Sequence, residues 1–145
     1  MRLTQFTDYG LRVLMHLALV EGDRVTIAEI AERFDISRTH LMKVVPELVR
    51  HGWVTSERGR SGGLALAKPA ADISIGAVVR SLEGEPELVA CQQPGGFCVI
   101  SPACGLPGIF THAAAAFYEA LDGHTLADIV SARTPLRKLL RIQAA

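Results

Sequence analysis

The three cysteines of this chain lie close together in the sequence, at Cys91, Cys98 and Cys104, within the loop CQQPGGFCVISPACGLPG. Thiolates favour zinc, copper(I) and iron-sulfur clusters. The spacing C-x6-C-x5-C lacks the closely spaced pair of a structural zinc site and differs from the ferredoxin pattern. Because the loop is rich in glycine and proline, it can fold around a wide object. The pattern therefore favours a cluster over a single ion, and zinc binding is the alternative.

A cluster held by three thiolates is one ligand short. A carboxylate binds iron more weakly than a thiolate and is easier to displace, which would leave one iron accessible to a diatomic gas. The candidates for the remaining position are a water molecule, a small thiol and six side chains of the chain itself: Asp8, His16, His40, His51, His112 and His124. The residue types alone leave this choice open.

The composition indicates a folded protein of the cytoplasm. Hydrophobic residues make up 49% of the chain, which argues against disorder. The longest apolar stretch near the N-terminus, residues 11–20, is interrupted by Arg12 and His16 and is shorter than the ~20 residues of a membrane span. With no export signal and an odd number of cysteines, we expect neither a disulfide scaffold nor a membrane partner.

Three amphipathic helices are predicted before residue 52. We expect Thr7 to cap the first helix, Thr26 and Glu29 to form a capping box on the second, and Ser37 to cap the third. The apolar residues repeat at helical spacing: Leu11, Leu14, Met15, Ala18; Ile27, Ile30, Ala31, Phe34; Leu41, Val44, Val45, Leu48. A three-residue turn, 35–37, joins the second and third helices, which is typical of a helix-turn-helix motif.

A β-hairpin is predicted directly after these helices. The runs 53–58 and 64–68 are compatible with strands and flank a glycine-rich loop, 59–63, so we interpret this segment as the wing of a winged helix. Helix-turn-helix proteins place the start of the second helix in the major groove, and a basic, narrow tip can enter a minor groove. The residues expected to contact DNA are Ser37, Arg38, Thr39, His40, Lys43, Arg58, Arg60, Ser61 and Gly62.

The charge distribution supports this interpretation. The chain has no net charge, but residues 33–68 hold seven basic and three acidic side chains, a net charge of +4. Positive charge is therefore concentrated where the DNA backbone is expected to dock.

The second half of the chain is predicted to be helical around the cysteine loop. Ser74 is expected to cap a fourth helix, and a short last helix starts with Thr125 and Asp128. A long helix over 106–121 carries Ile109, Ala113, Ala116, Phe117 and Ala120 on one face. Because small residues let helices approach closely, we expect this helix to pair with its copy in a second subunit.

The predicted fold is therefore mostly α with a small β wing. A winged helix-turn-helix domain, 1–72, is expected to precede a region, 73–145, that contains the cysteine loop (about 90–108) and the dimerisation helix.

Strings along nearly the whole chain carry a family resemblance: MRLTQFTDYGLRVLMHLA, IAEIAERFDISRTHLMKVV, VTSERGRSGGLALAKPA, ISIGAVVRSLE, VISPAC and TLADIV. On these strings the chain resembles the nitric-oxide-sensing repressors of the NsrR type, a branch of the winged-helix family that also contains the iron-sulfur regulator IscR. Members of the IscR branch use a histidine three residues after the last cysteine. Pro107 stands at that position here, which argues against that branch.

The resemblance implies a homodimer with one [4Fe-4S] cluster per subunit, held by Cys91, Cys98 and Cys104, with a [2Fe-2S] cluster as the alternative. It also implies that Asp8 of the partner subunit supplies the fourth ligand. The expected function is a repressor that binds double-stranded operator DNA and responds to nitric oxide. The alternative is a regulator of the same family that responds to iron or redox status.

No enzymatic activity is expected from this sequence. It contains neither a nucleotide-binding glycine motif nor a nucleophile paired with a base.

Overall fold

The computed structural model describes residues 2–20, 22–59, 62–84, 88–92 and 95–142. Its described elements are mostly helical, with one two-stranded antiparallel sheet. The helices are α1 (Gln5–Val20), α2 (Ile27–Phe34), α3 (Arg38–Arg50), α4 (Ile75–Glu83), α5 (Leu106–Asp122), α6 (Leu126–Ile129) and α7 (Arg133–Leu139); the strands are β1 (Val54–Glu57) and β2 (Gly63–Leu66). Short 3₁₀ turns lie at Ala70–Asp72, Ala90–Gln92 and Ser101–Ala103.

The first helix begins before the predicted cap, so the assignment of Thr7 as the N-cap is wrong. Thr7 lies inside α1 and is fully buried. Its backbone N–H donates to Oγ1 of Thr4 at 3.3 Å, so Thr4 performs the capping role. The N–H and hydroxyl of Thr4 also donate to Oε1 of Glu83, at 2.7 and 2.9 Å, which ties the start of α1 to the end of α4.

The caps predicted for α2 and α3 are confirmed. Thr26 and Glu29 form a reciprocal capping box, and Oγ of Ser37 accepts the N–H of His40 at 3.4 Å. Between the two helices, Asp35 adopts a left-handed conformation with φ of 50°, which reverses the chain within the three-residue turn. The helix-turn-helix motif therefore has the local structure that its sequence predicts.

The wing is an antiparallel hairpin that is also attached to the helices. Val54 pairs with Leu66 and Glu57 with Gly63. Val25, just before α2, exchanges backbone hydrogen bonds with Leu64 at 3.2 and 2.8 Å. A Cβ on Gly63 would lie 3.0 Å from the carbonyl oxygen of Val25, so the close approach requires glycine at this position.

One hydrophobic core extends through both halves of the chain, with α1 packed against α3, α4, α6 and α7. Gly10 lies where α1, α3 and α4 meet. A Cβ at this position would lie 3.7 Å from side-chain atoms of Val44 and Leu48 in α3 and 2.6 Å from a side-chain atom of Leu82 in α4. The division of the chain at residue 72 stays a prediction. The shared core mechanically connects the two predicted regions.

The end of α5 is fastened to α4. A Cβ on Gly76 would lie 2.9 Å from the backbone nitrogen of Asp122, so the absence of a side chain permits this approach. The guanidinium of Arg80 donates to both carboxylate oxygens of Asp122, at 2.7 and 2.6 Å, and lies over the ring of Tyr118. The hydrogen bonds from Arg80 lower the pKa of Asp122 below its ordinary value.

The apolar stripe that the sequence places on one face of α5 is largely uncovered in the single subunit. Ile109 is 62% exposed, and Ala113, Ala116 and Ala120 are also exposed. The residues of α5 that are buried within the subunit are Ala114 and Tyr118, on the adjoining face. α7 was not predicted from the sequence.

Candidate functional site

The third helix divides cleanly into a buried face and an exposed face. Its apolar residues, Leu41, Val44, Val45 and Leu48, are all buried. The residues predicted to contact DNA are exposed at its amino end: Ser37, Arg38, Thr39, His40 and Lys43. The structure therefore places these five residues together at the amino end of α3, where a helix-turn-helix protein contacts base edges.

Two of the positive charges on this face are not neutralised by neighbours. Within the described residues, no salt bridge involves Arg38 or Lys43. At the far end of the same helix, Arg50 forms an ion pair with Glu47 and lowers the pKa of that carboxyl group. The amino end of α3 thus presents positive charge that can attract phosphate, whereas the carboxyl end does not.

The wing residues are only partly described. Arg58 is exposed directly after β1, and the N–H of Gly62 donates to the carbonyl of Gly59 at 3.0 Å. Arg60 and Ser61 lie outside the described residues, so their predicted contacts with DNA stay predictions.

The cysteine segment is built from two successive turns and a contact with α5. The carbonyl of Cys98 accepts the N–H of Ser101 at 3.0 Å, and the N–H of Cys104 donates to the carbonyl of Ser101 at 3.4 Å. Nε2 of Gln92 donates to the carbonyl of Pro107 at 3.4 Å. Because Gln92 follows Cys91 and Pro107 lies in the first turn of α5, this hydrogen bond brings the segment of Cys91 towards that of Cys104.

The three thiols suit a metal cluster in type, but they do not form a site for a single ion. All three cysteines are free and half-buried. Across the described ranges, no three side chains of His, Cys, Asp or Glu are gathered closely enough to hold a metal ion. Oε1 of Gln92, next to Cys91, is buried without a hydrogen-bond partner among the described residues. The donor set of soft thiols is of the type that holds iron-sulfur clusters, and zinc takes the same donor type.

Asp8 is accessible and already has a partner within its own helix. Its carboxylate lies 3.0 Å from the guanidinium of Arg12, one turn further along α1, and its side chain is 48% exposed. It lines a surface cavity of about 470 Å³ together with Arg2, Thr4 and other residues of the N-terminus. Asp8 can therefore be reached from outside the subunit, and ligation of a metal would compete with its ion pair.

The structure separates the histidines that the sequence left as candidate ligands. His16 is buried, with 2% of its surface exposed, so it cannot reach a group bound outside its own subunit. His40, His112 and His124 are exposed, and His51 is half-buried beside Arg50.

We expect His16 to make stability depend on pH. Burial, and next the charge of Arg33, lower the pKa of His16, while the charge of Glu29 opposes them; its ring packs edge-on against Phe34. His16 therefore binds a proton near pH 6.5 in the unfolded chain but only at lower pH in the folded protein. The contribution of His16 to the free energy of unfolding is complete above pH 6.5 and is lost as the pH decreases below it. Unfolding in urea at pH 7.5 and 5.5 measures this loss.

His16→Leu is the variant that tests this expectation. It should be about 1 kcal/mol more stable than the wild type at pH 7.5, because the buried Nδ1 has no partner in the described part of the chain. It should also lose less stability at pH 5.5. The carboxyl groups with lowered pKa titrate below this range, and the exposed His124→Gln serves as control. An equal loss in wild type and His16→Leu would contradict the assignment.

The family can be assigned from these features together with the sequence. The sequence model of the Rrf2 family, described as an iron-dependent transcriptional regulator, matches residues 3–132. The chain belongs to the Rrf2 family. Proteins of this family are transcriptional regulators and not enzymes, in agreement with the expectation from the sequence.

Solved structures support the Rrf2 assignment and the predicted fold. CymR (YrzC), the global cysteine regulator of B. subtilis, is 27% identical; the match covers 90% of this chain and 97% of that chain, with a TM-score of 0.71. IscR of T. potens is 28% identical over 90% of this chain and 87% of that chain, with a TM-score of 0.70. CymR of Staphylococcus aureus is 31% identical over 85% and 93%, with a TM-score of 0.65. The mostly helical winged-helix fold is therefore confirmed.

Two residues near the site of this Rrf2 protein were missed by the sequence analysis. Arg12 pairs with Asp8, and the four-residue spacing of opposite charges on a helix was a signal that could have revealed the pair. Gln92 contacts the first turn of α5, and no local pattern indicates such a contact. Among the described residues, no helix combines the length and apolar character that crossing a membrane would need.

Proposed function

We propose that this protein is a cytoplasmic transcriptional repressor whose binding to operator DNA is controlled by an iron-sulfur cluster and by nitric oxide. The observation that carries the proposal is the set of three free, half-buried thiols in one segment that joins the first turn of α5. The family description as iron-dependent regulators supports it, as does the resemblance to nitric-oxide sensors along the sequence.

The ligands of the cluster in this proposal are Cys91, Cys98 and Cys104 of one subunit and Asp8 of the partner subunit. We favour a [4Fe-4S] cluster, one per subunit, with [2Fe-2S] as the alternative. When bound, the cluster supplies iron that can combine with nitric oxide. The accessibility of Asp8 supports its role, since its carboxylate lines an open cavity.

The chain itself connects Asp8 to the DNA-reading helix. Asp8 lies in the first turn of α1, and α1 packs against α3 around Gly10, close to Val44 and Leu48. A ligand bond at Asp8 would fix the position of α1, and through this packing it would fix α3 relative to the rest of the dimer. Loss of the bond would leave α3 free to shift out of register with the DNA.

A homodimer is part of the proposal. The exposed stripe of α5 is the surface that we assign to the subunit contact, because its residues are apolar or small: Leu106, Ile109, Ala113, Ala116 and Ala120. Two copies related by a two-fold axis would present two α3 helices to half-sites about 34 Å apart, one turn of DNA.

The test is operator binding by protein prepared without air. Iron and sulfide contents establish whether the cluster is present, and the dissociation constant for DNA is measured before and after nitric oxide is added. We expect affinity to fall roughly 5- to 150-fold, the range of typical allosteric coupling. Unchanged affinity after complete reaction of the cluster would contradict nitric-oxide sensing.

Iron or redox status is the second candidate signal. The likeness to IscR of T. potens and the family description as iron-dependent favour it. An iron chelator or oxygen, added without nitric oxide, separates the two signals. If the chelator changes DNA affinity and nitric oxide does not, the second candidate is correct.

A further inference from the structure

One aromatic contact joins the amino-terminal parts of α1 and α3. The rings of Tyr9 and His40 lie with their centroids 5.9 Å apart and their planes inclined at 36°. Tyr9 follows Asp8 directly in α1, and His40 lies in the first turn of α3 among the residues predicted to contact DNA. The contact therefore connects the proposed ligand segment with the proposed DNA-reading segment.

The two rings differ in how firmly they are held. Tyr9 is buried, with 9% of its surface exposed, and its hydroxyl accepts a hydrogen bond from Nε2 of Gln5 at 2.9 Å. His40 is exposed, and its ring contacts the ring of Tyr9. Tyr9 thus forms the fixed side of the pair and His40 the adjustable side.

Space next to the contact allows it to change. A shallow and mainly apolar cavity of about 160 Å³ lies at this junction, lined by Gln5, Phe6, Tyr9, His40, Lys43 and Val44. A displacement of the first turn of α1 would carry Tyr9 with it, and the ring of His40 could follow into or out of this space.

We propose that Tyr9 is a positioning residue for DNA recognition: its ring sets the orientation of the His40 side chain towards the DNA. This inference rests on the proposed function and deepens it, because it names the two side chains through which a shift of α1 would change the contact of α3 with DNA bases. Successive residues of a helix point about 100° apart, so Asp8 can face a partner subunit while Tyr9 faces α3.

A double-mutant cycle on DNA affinity tests the proposal. The probe is a DNA duplex selected by the wild-type protein from a random-sequence pool. Tyr9→Leu, which removes the ring, and His40→Ala are each expected to weaken binding roughly 3- to 10-fold, the scale of an aromatic pair. Tyr9→Leu should have almost no further effect when His40 is already alanine, because coupled residues are not additive. Tyr9→Phe keeps the ring and should rescue the affinity.

Base preference provides a readout that a merely structural role would not change. Selection repeated with Tyr9→Leu and with His40→Ala should show relaxed preference at the same position in each half-site. If Tyr9→Leu does not fold, Tyr9→Met takes its place, since the flexible side chain of methionine fills irregular space. His40 is exposed, so His40→Ala can be tested in either case, and wild-type affinity and preference in that variant would overturn the proposal.

The outcomes separate this inference from the proposed function. If the wild-type protein enriches no sequence from the pool, the proposed function fails and this inference fails with it. If the wild-type protein does enrich a sequence, the loss of DNA affinity from Tyr9→Leu is compared in the wild-type and His40→Ala backgrounds. Equal losses in the two backgrounds overturn only the positioning role of Tyr9.

Discussion

Cys98→Ser is expected to abolish retention of the iron-sulfur cluster. A serine hydroxyl is not ionised near neutral pH and is a hard ligand, whereas iron in a cluster prefers soft thiolates. In the wild type, three thiolates and one further group hold the cluster. The two cysteines that remain in the variant cannot hold it. Iron and acid-labile sulfide in protein prepared without air should fall below about a tenth of the wild-type content, and the visible absorption should disappear.

Ser101→Ala is the matched control for this experiment. Ser101 lies in the same segment, and its backbone N–H and carbonyl hold the turns around Cys98 and Cys104. Alanine preserves those backbone hydrogen bonds and all three thiols, so iron content should remain at the wild-type level. Cys98→Ser with a full complement of iron and sulfide would exclude the proposed ligand set. Loss of iron in both variants would show that the segment is sensitive to any change.

Arg38→Ala is expected to weaken operator binding by about 5- to 150-fold. Arg38 is exposed at the amino end of α3, and no described residue forms a salt bridge with it. A good contact between arginine and a base edge contributes about 1–3 kcal/mol of discrimination, which corresponds to this range of affinity. The dissociation constants for the selected duplex and for duplexes with single base changes measure both the loss and the relaxed preference.

Arg50→Ala controls for the loss of one positive charge from the same helix. Arg50 is also exposed to solvent, but it lies in the last turn of α3 and is paired with Glu47. Its removal should change operator affinity by less than about threefold, the effect of a remote screened charge. Equal losses in Arg38→Ala and Arg50→Ala would mean that net charge alone, and not the amino end of α3, determines binding.

The sequence predicted the local structure of the DNA-binding half well, because that structure depends on local signals. The capping box of Thr26 and Glu29 and the cap at Ser37 fix two helix starts within a few residues. The first helix start was wrong because Thr4 is held in place by Glu83, which lies far away in the sequence. α7 was missed for a related reason: it is short, and Leu136 is its leucine that packs on the core.

The candidate site was less predictable than the fold. Residue types identified the three cysteines and the exposed face of α3, since chemistry and helical spacing are visible in sequence. Whether Asp8 is free or paired depends on the rotamer of Arg12, and the contact of Tyr9 with His40 depends on how α1 crosses α3. The contact of Tyr9 with His40 arises only when the helices pack, so it could be found only in the structure, whereas the spacing of Asp8 and Arg12 on one helix is visible in the sequence.

The attachment of α5 to α4 at Asp122 has a consequence for motion. A helix of 17 residues is about 25 Å long, so a tilt of about 5° around the attached end would displace Leu106 by about 2 Å. Cys104 lies two residues before that distal end. A rearrangement beside the cysteines would therefore reach α4 as a rotation of α5 by a few degrees. A distance label attached near Leu106 will register this swing far more sensitively than one near Asp122.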